Sequence, residues 1–230
     1  MGYIIAGCCL VAFYVLVIWD MKRIKKTGWV NALASISIFA LYIYTLYHTY
    51  RLDGFYDWNF QNKLPMANVS PFMFSTMPLC WILPKRVKKH LFLLISLLSA
   101  GMLLSTIFSC AFNAMRDYKF HFSFFADYVA HIILSLWGIY LVKSNQVKLC
   151  KRDCMISGSI IVGVALTMLV LNCIFDTAFF GLSLNGKHNI YNIVLVENSL
   201  LSAAIYLSGL VVVLLLGYIF NRMLNKKKDR

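Results

Sequence analysis

Apolar residues are collected into seven long stretches, at 3–19, 29–47, 66–83, 91–113, 122–142, 155–180 and 194–220, separated by short polar connectors. Each approaches the ~20 residues a helix needs to cross the hydrocarbon core of a bilayer. The pattern therefore predicts an all-α, polytopic membrane protein with seven transmembrane helices. The third stretch differs from the rest, because Asn68, Ser70, Pro71 and Pro78 interrupt it. A spanning helix tolerates proline where neighbouring groups satisfy the freed carbonyls. A re-entrant third segment, leaving six spans, is the alternative.

The connectors decide between these counts. Lys22, Arg23, Lys25 and Lys26 follow the first stretch, and Lys85, Arg86, Lys88 and Lys89 follow the third. Lys143, Lys148, Lys151 and Arg152 follow the fifth, and Arg222, Lys226, Lys227, Lys228 and Arg230 follow the last. The alternate connectors hold only Arg51, Lys63, Arg116, Lys119 and Lys187. Cytoplasmic loops are enriched in Lys and Arg, so the N-terminus is expected outside and the C-terminus in the cytoplasm. That pattern needs an odd number of spans, hence seven.

Composition agrees. Of 230 residues, 60% are hydrophobic and 13% charged, and the mean hydropathy is +0.72. Ordinary soluble domains carry about 45–50% apolar and roughly 25% charged residues. The excess excludes a secreted disulfide scaffold, a disordered chain and a soluble enzyme. The net charge of +13 is read as a topology signal with an attraction to anionic headgroups, and no nucleic-acid partner is expected. No connector is long enough for a soluble domain, so residues 1–230 are expected to form one membrane domain. The first stretch lacks a preceding basic region and a small-residue cleavage site, and reads as a retained helix. The longest connector carries Tyr50, Phe55, Tyr56, Trp58 and Phe60, which suits a lid or an anchor in the headgroup layer. Compactness without a signal peptide points to a bacterial plasma membrane.

Candidate chemistry comes from the depth of the polar residues, counted at about 1.5 Å per residue. Asn68 and Ser70 open span three. Asp127 lies roughly 8 Å and His131 roughly 14 Å inside span five. Asp176 and Asn172 lie roughly 6 and 12 Å below the outer end of span six. Asn113 closes span four, and Glu197 and Asn198 open span seven. All belong to the outer half, whereas the inner half offers only Asn31. Ionised groups near the bilayer centre cost at least about 2.5–3.5 kcal/mol, so the segregation predicts an outward-facing polar cavity. Asp127 and His131 share a helix face at i, i+4, as do Asn172 and Asp176. His131 is either a general base, with Asp127 or Asp176 orienting it and Ser70 or Ser75 as nucleophile, or a histidine tying two helices together. Asn68 and Asn172 are candidate hydrogen-bond donors to an oxyanion or, with Asn113 and Glu197, ligand-binding groups. On span four, Gly101, Ser105, Ser109 and Asn113 repeat every four residues, a spacing that lets helices pack closely.

No metal or cofactor is expected. His121, His131, Asp127 and Asp176 form no compact ligand motif, and Cys150 and Cys154 lack the second pair that would complete a zinc site. The last span has no lysine for a retinal Schiff base. There is no Gly-x-Ser-x-Gly elbow and no His-Glu-x-x-His helix. Only span three is broken, unlike the matched broken helices of many transporters.

The polar break Asn68-Val-Ser-Pro71, the histidine of Asp127-Tyr-Val-Ala-His131 and Asn172-Cys-Ile-Phe-Asp176 resemble the YwaF-like bacterial integral membrane proteins. These are distantly similar to a eukaryotic transmembrane family linked to acyl transfer between phospholipids. The eukaryotic relatives carry Asn-Pro-Cys-His at the break, with cysteine as presumed nucleophile, where this chain has Asn68-Val-Ser70-Pro71. The resemblance implies a lipid-active acyltransferase or hydrolase with Ser70 as nucleophile and His131 as base. The alternatives are a non-enzymatic lipid or small-solute binding protein or transporter, and a subunit of a membrane protein partner.

Overall fold

The computed structural model describes residues 28–55, 61, 63–115, 122–175, 180, 182 and 199–226, with the side chains of 108–125, 199, 200, 202, 225 and 226 left aside. The seven helices among them are α1 Gly28–Asp53, α2 Val69–Ser75, α3 Leu79–Ile82, α4 Lys85–Met115, α5 Phe122–Lys143, α6 Lys151–Phe175 and α7 Ser199–Lys226. The described residues contain no strand. Five helices (α1, α4, α5, α6 and α7) are long and apolar enough to cross a membrane. The stretch at 3–19 lies outside the described residues.

Beside large apolar residues, α1 and α6 bury small and hydroxylated ones, and their other faces are apolar. On α1 the buried positions Ala34, Ser35, Ile38, Tyr42, Thr45 and Thr49 recur at helical spacing and include three hydroxyls from Ser and Thr. The other face exposes Leu33, Ile36, Ile43, Tyr44 and Tyr47. Helix α6 repeats the pattern, burying Ser157, Gly158, Ala165 and Asn172 while exposing Met155, Ile156, Ile160, Val170 and Ile174. Small and hydroxylated residues allow close approach between helices, and large apolar ones suit lipid. The hydroxyls stay satisfied by bonding back along their own helix, as Thr45 Oγ1 does to Leu41 O at 2.9 Å.

Helix α4 is the axis. It packs on α5, α6 and α7, and α1 lies against the outer side of α5. The closest approaches need glycine. A Cβ on Gly217 of α7 would stand 1.7 Å from the Leu97 carbonyl oxygen, and one on Gly138 of α5 would stand 2.7 Å from the Ile95 carbonyl oxygen. Gly101, from the small-residue stripe, abuts Val213. Ser105 of that stripe is exposed, and Ser109 and Asn113 are among the side chains left aside. Of the two positions whose side chains are described, packing accounts for Gly101 and not for Ser105.

Contacts fix the direction of every long helix. Asn31 near the start of α1 accepts from Trp137 Nε1 at 2.9 Å and donates to Gln146, just past the end of α5, at 2.6 Å. Lys89 and His90 at the start of α4 meet Asp153 and Ser157 at the start of α6, at 2.5 and 3.0 Å. Asn221, near the end of α7, donates to Ser96 O at 2.7 Å. One end of the bundle thus collects residues near 28, 85, 143, 151 and 222, and is called the basic end here. The chain between α1 and α4 must pass from the far end to the basic end. It does so through α2 and α3, broken at Thr76–Pro78, with Met73, Phe74 and Met77 essentially inaccessible. Trp81 Nε1 reaches Ser35 Oγ at 3.2 Å, which places this segment's end beside the start of α1. The third apolar stretch is thus a broken traverse that runs through the bundle, not one continuous helix.

The turn after α5 is built for its position. Asn145 adopts φ 57, the left-handed conformation that asparagine tolerates better than most residues. The Gln146 amide then bonds to Leu141 O at 3.0 Å and the Asn145 amide to Val142 O at 3.1 Å, closing a Schellman cap.

Candidate functional site

At the far-end half of the bundle, α5 brings two of the expected groups together. One helical turn separates Asp127 from His131, so both face the same side. His131 Nδ1 lies 2.8 Å from the backbone carbonyl of Asp127 but 3.8 Å from its carboxylate Oδ1. A carbonyl can only accept, so Nδ1 carries a proton, and in the neutral ring the lone pair is then on Nε2. The tautomer is set by the Asp127 main chain. The Asp127 carboxylate is engaged elsewhere, paired with Lys63 Nζ at 2.5 Å with both side chains about three-quarters covered.

Lys63 was expected to be only a loop charge, and its role is the main feature that sequence reasoning missed. It reaches Asp127 because its backbone is fastened: Tyr42 of α1, itself buried, donates its hydroxyl to Lys63 O at 3.0 Å. Phe74 of α2 closes the other side, its ring meeting the His131 imidazole edge-on at a centroid distance of 4.9 Å and 85°. Tyr42 and Phe74 are also in contact, at 6.2 Å between centroids. The weak signal in the sequence was that Lys63 is one of only five basic residues in the connectors away from the basic end.

The other expected site residues divide. Ser70 lies one helical turn before Phe74 on α2, and its hydroxyl donates to Met102 Sδ of α4 at 3.6 Å. Ser75 bonds back to Phe72 O at 2.8 Å. No hydrogen bond joins either serine to His131 among the described residues. Asn68 caps α2, accepting from the Val69 amide at 2.8 Å, with the Tyr206 hydroxyl of α7 at 3.5 Å. Asn172 is buried and donates to Leu182 O at 3.0 Å. The same stretch brings Phe180, at φ 57, onto Phe72 and donates its amide to Met66 O at 2.9 Å. Asn68 and Asn172 therefore hold the backbone at the far end. Asp176, Glu197 and the Asn113 side chain lie outside the description.

The segregation of polar groups is less complete than the sequence suggested. Helix α7 continues past 220, and Asn221 is fully buried near the basic end, bonded to Ser96 O, Ser99 Oγ and Gly217 O. Among the described residues, no three His, Cys, Asp or Glu side chains converge as metal ligands would. No protein-family model matches this chain, and no curated protein or solved structure shows significant similarity to it.

Proposed function

We propose that this chain is a seven-span protein of the cell membrane, of the YwaF-like kind, with its N-terminus outside and its C-terminus cytoplasmic. In this reading the site around His131 faces outward and binds the head group of a membrane lipid. Five long helices, one broken traverse and the apolar stretch at 3–19 supply the spans. The concentration of Lys and Arg at the basic end supports the orientation.

The observation that carries the binding reading is the Lys63–Asp127–His131 cluster, with His131 roughly 14 Å along α5 from its far end. Ionisable groups at such depth mark ligand or proton pathways in membrane proteins. The Lys63–Asp127 pair cancels its own charge, which leaves the His131 Nε2 lone pair as the acceptor on offer. That arrangement suits a hydroxyl-bearing head group of the glycerol class, which donates to Nε2. Membrane lipid is thus the proposed partner.

A second reading, acyl transfer or hydrolysis, is favoured by Ser70 lying on the α2 face that also carries Phe74. There, Ser70 Oγ would attack an ester carbonyl while Nε2 takes its proton and returns it to the departing alkoxide. Ser70 would first have to leave Met102.

Mixed micelles of wild type, Ser70→Ala and His131→Ala with defined phospholipids test the two readings. Acyl release or transfer that is lost in both variants would establish the enzyme and displace the binding reading. Binding of a glycerol-headed lipid without turnover, weakened at least tenfold by His131→Ala and unaffected by Ser70→Ala, is the expected result.

A further inference from the structure

The opposite end of the molecule carries a groove that the far-end site does not use. It is a shallow, open groove along the first turns of α6, with a volume of about 900 Å³, lined by Cys150 just before the helix and by Lys151, Arg152, Met155, Ile156, Ser159 and Ile160 on it. The lining forms two parallel rows at helical spacing: Lys151, Met155 and Ser159 in one, Arg152, Ile156 and Ile160 in the other. Each row starts with a cation at the end of the helix and continues with side chains further along it.

Charge and exposure are arranged for an occupant. Lys151 and Arg152 are both exposed. The adjacent acid, Asp153, is occupied by Lys89 of α4 at 2.5 Å. Lys151 and Arg152 have no ion-pair partner among the described residues. Met155, Ile156 and Ile160 are 63%, 41% and 48% exposed, large apolar surface beside two exposed cations, of which Arg152 also feels the Asp153 carboxylate without pairing to it. The α6 N-terminus adds the positive end of a helix dipole at the same point.

From this juxtaposition we infer that the groove holds one anionic phospholipid, its phosphate between Lys151 and Arg152 and an acyl chain along Met155, Ile156 and Ile160. Charge complementarity chooses the occupant. A zwitterionic lipid would bring its own cation against Lys151 and Arg152, whereas a phosphatidylglycerol-class head group brings only the anion. Arg can hold a phosphate through two parallel N–H donors and Lys as a point charge. The distance along the helix from a charged first turn to Ile160 is roughly 13 Å, enough to align most of one acyl chain. This site is separate from His131, so the two can fail independently.

The test uses full-length protein in nanodiscs of mixed phosphatidylglycerol and phosphatidylcholine, gently released and weighed by native mass spectrometry. Wild type is expected to retain phosphatidylglycerol in preference to phosphatidylcholine, and His131→Ala, which empties the far-end site, to keep one such lipid in this groove. Lys151→Gln/Arg152→Gln should lower that retention roughly tenfold, since each basic group near an anionic surface contributes severalfold to binding. Ile160→Trp, which fills the apolar end, should lower it with both charges intact. Lys85→Gln/Arg86→Gln removes two exposed charges from the same end outside the groove and should leave retention within about twofold. Equal loss in both double variants would show diffuse surface charge and overturn the site. So would indifference to Ile160→Trp, or equal retention of the two lipids by wild type.

Discussion

His131 shows how much a single side chain's role depends on neighbours the sequence cannot supply. Its i, i+4 relation to Asp127 was legible, because helix geometry alone places the two on one face. The assignment of the proton was not, since it depends on Nδ1 meeting the Asp127 carbonyl and not its carboxylate. Lys63 was illegible for a different reason: 64 residues separate it from Asp127, and only the fold of the connector brings them together. Removing one member of a mostly covered ion pair strands the other, which costs more than the pair is worth. Lys63→Met and Asp127→Asn are each expected to lower stability in detergent by about 1–3 kcal/mol. The double variant Lys63→Met/Asp127→Leu should recover much of that loss, as measured by thermal unfolding. Additive losses would mean that the two groups act separately.

Among the elements, length and apolarity announced the long helices, and the break around Thr76–Pro78 was foreshadowed by the polar residues and prolines of 66–83. The helix partners were less visible. The glycine that matters most, Gly217, belongs to no stripe in the sequence, and it was singled out only by its approach to the Leu97 carbonyl. A methyl group there meets backbone, which cannot rotate away. Gly217→Ala should therefore force α4 and α7 apart and destabilise the protein by about 1–3 kcal/mol, the usual range for overpacking. Gly163→Ala on α6, where nothing lies within 4 Å of the added Cβ, should leave stability unchanged or slightly raised through better helix propensity. Thermal unfolding of the pair decides this; equal tolerance of both would contradict the α4–α7 packing.

At the scale of the whole molecule, the apolar blocks and the basic connectors predicted an all-helical membrane protein, and the five long helices agree with that class. The way the blocks are wired depended on contacts. The chain between α1 and α4 has to travel the length of the bundle, which the broken traverse accomplishes with Met73, Phe74 and Met77 inaccessible in its middle and Leu79, Trp81 and Ile82 exposed toward its end. The proposed orientation can be checked through Cys150, which is exposed in the connector at the basic end. A membrane-impermeant thiol reagent is expected to modify it in inverted vesicles and not in intact cells, with the signal removed by Cys150→Ser. The opposite sidedness would reverse the topology and place the His131 site toward the cytoplasm.

Lipid binding by the far-end cluster around His131 is read out by native mass spectrometry of gently extracted protein, wild type beside His131→Ala. Wild type is expected to carry a glycerol-headed lipid that His131→Ala loses while remaining folded, and that Lys151→Gln/Arg152→Gln keeps. Wild type free of such a lipid, together with an unfolded His131→Ala, would contradict the account and make His131 a tie between helices.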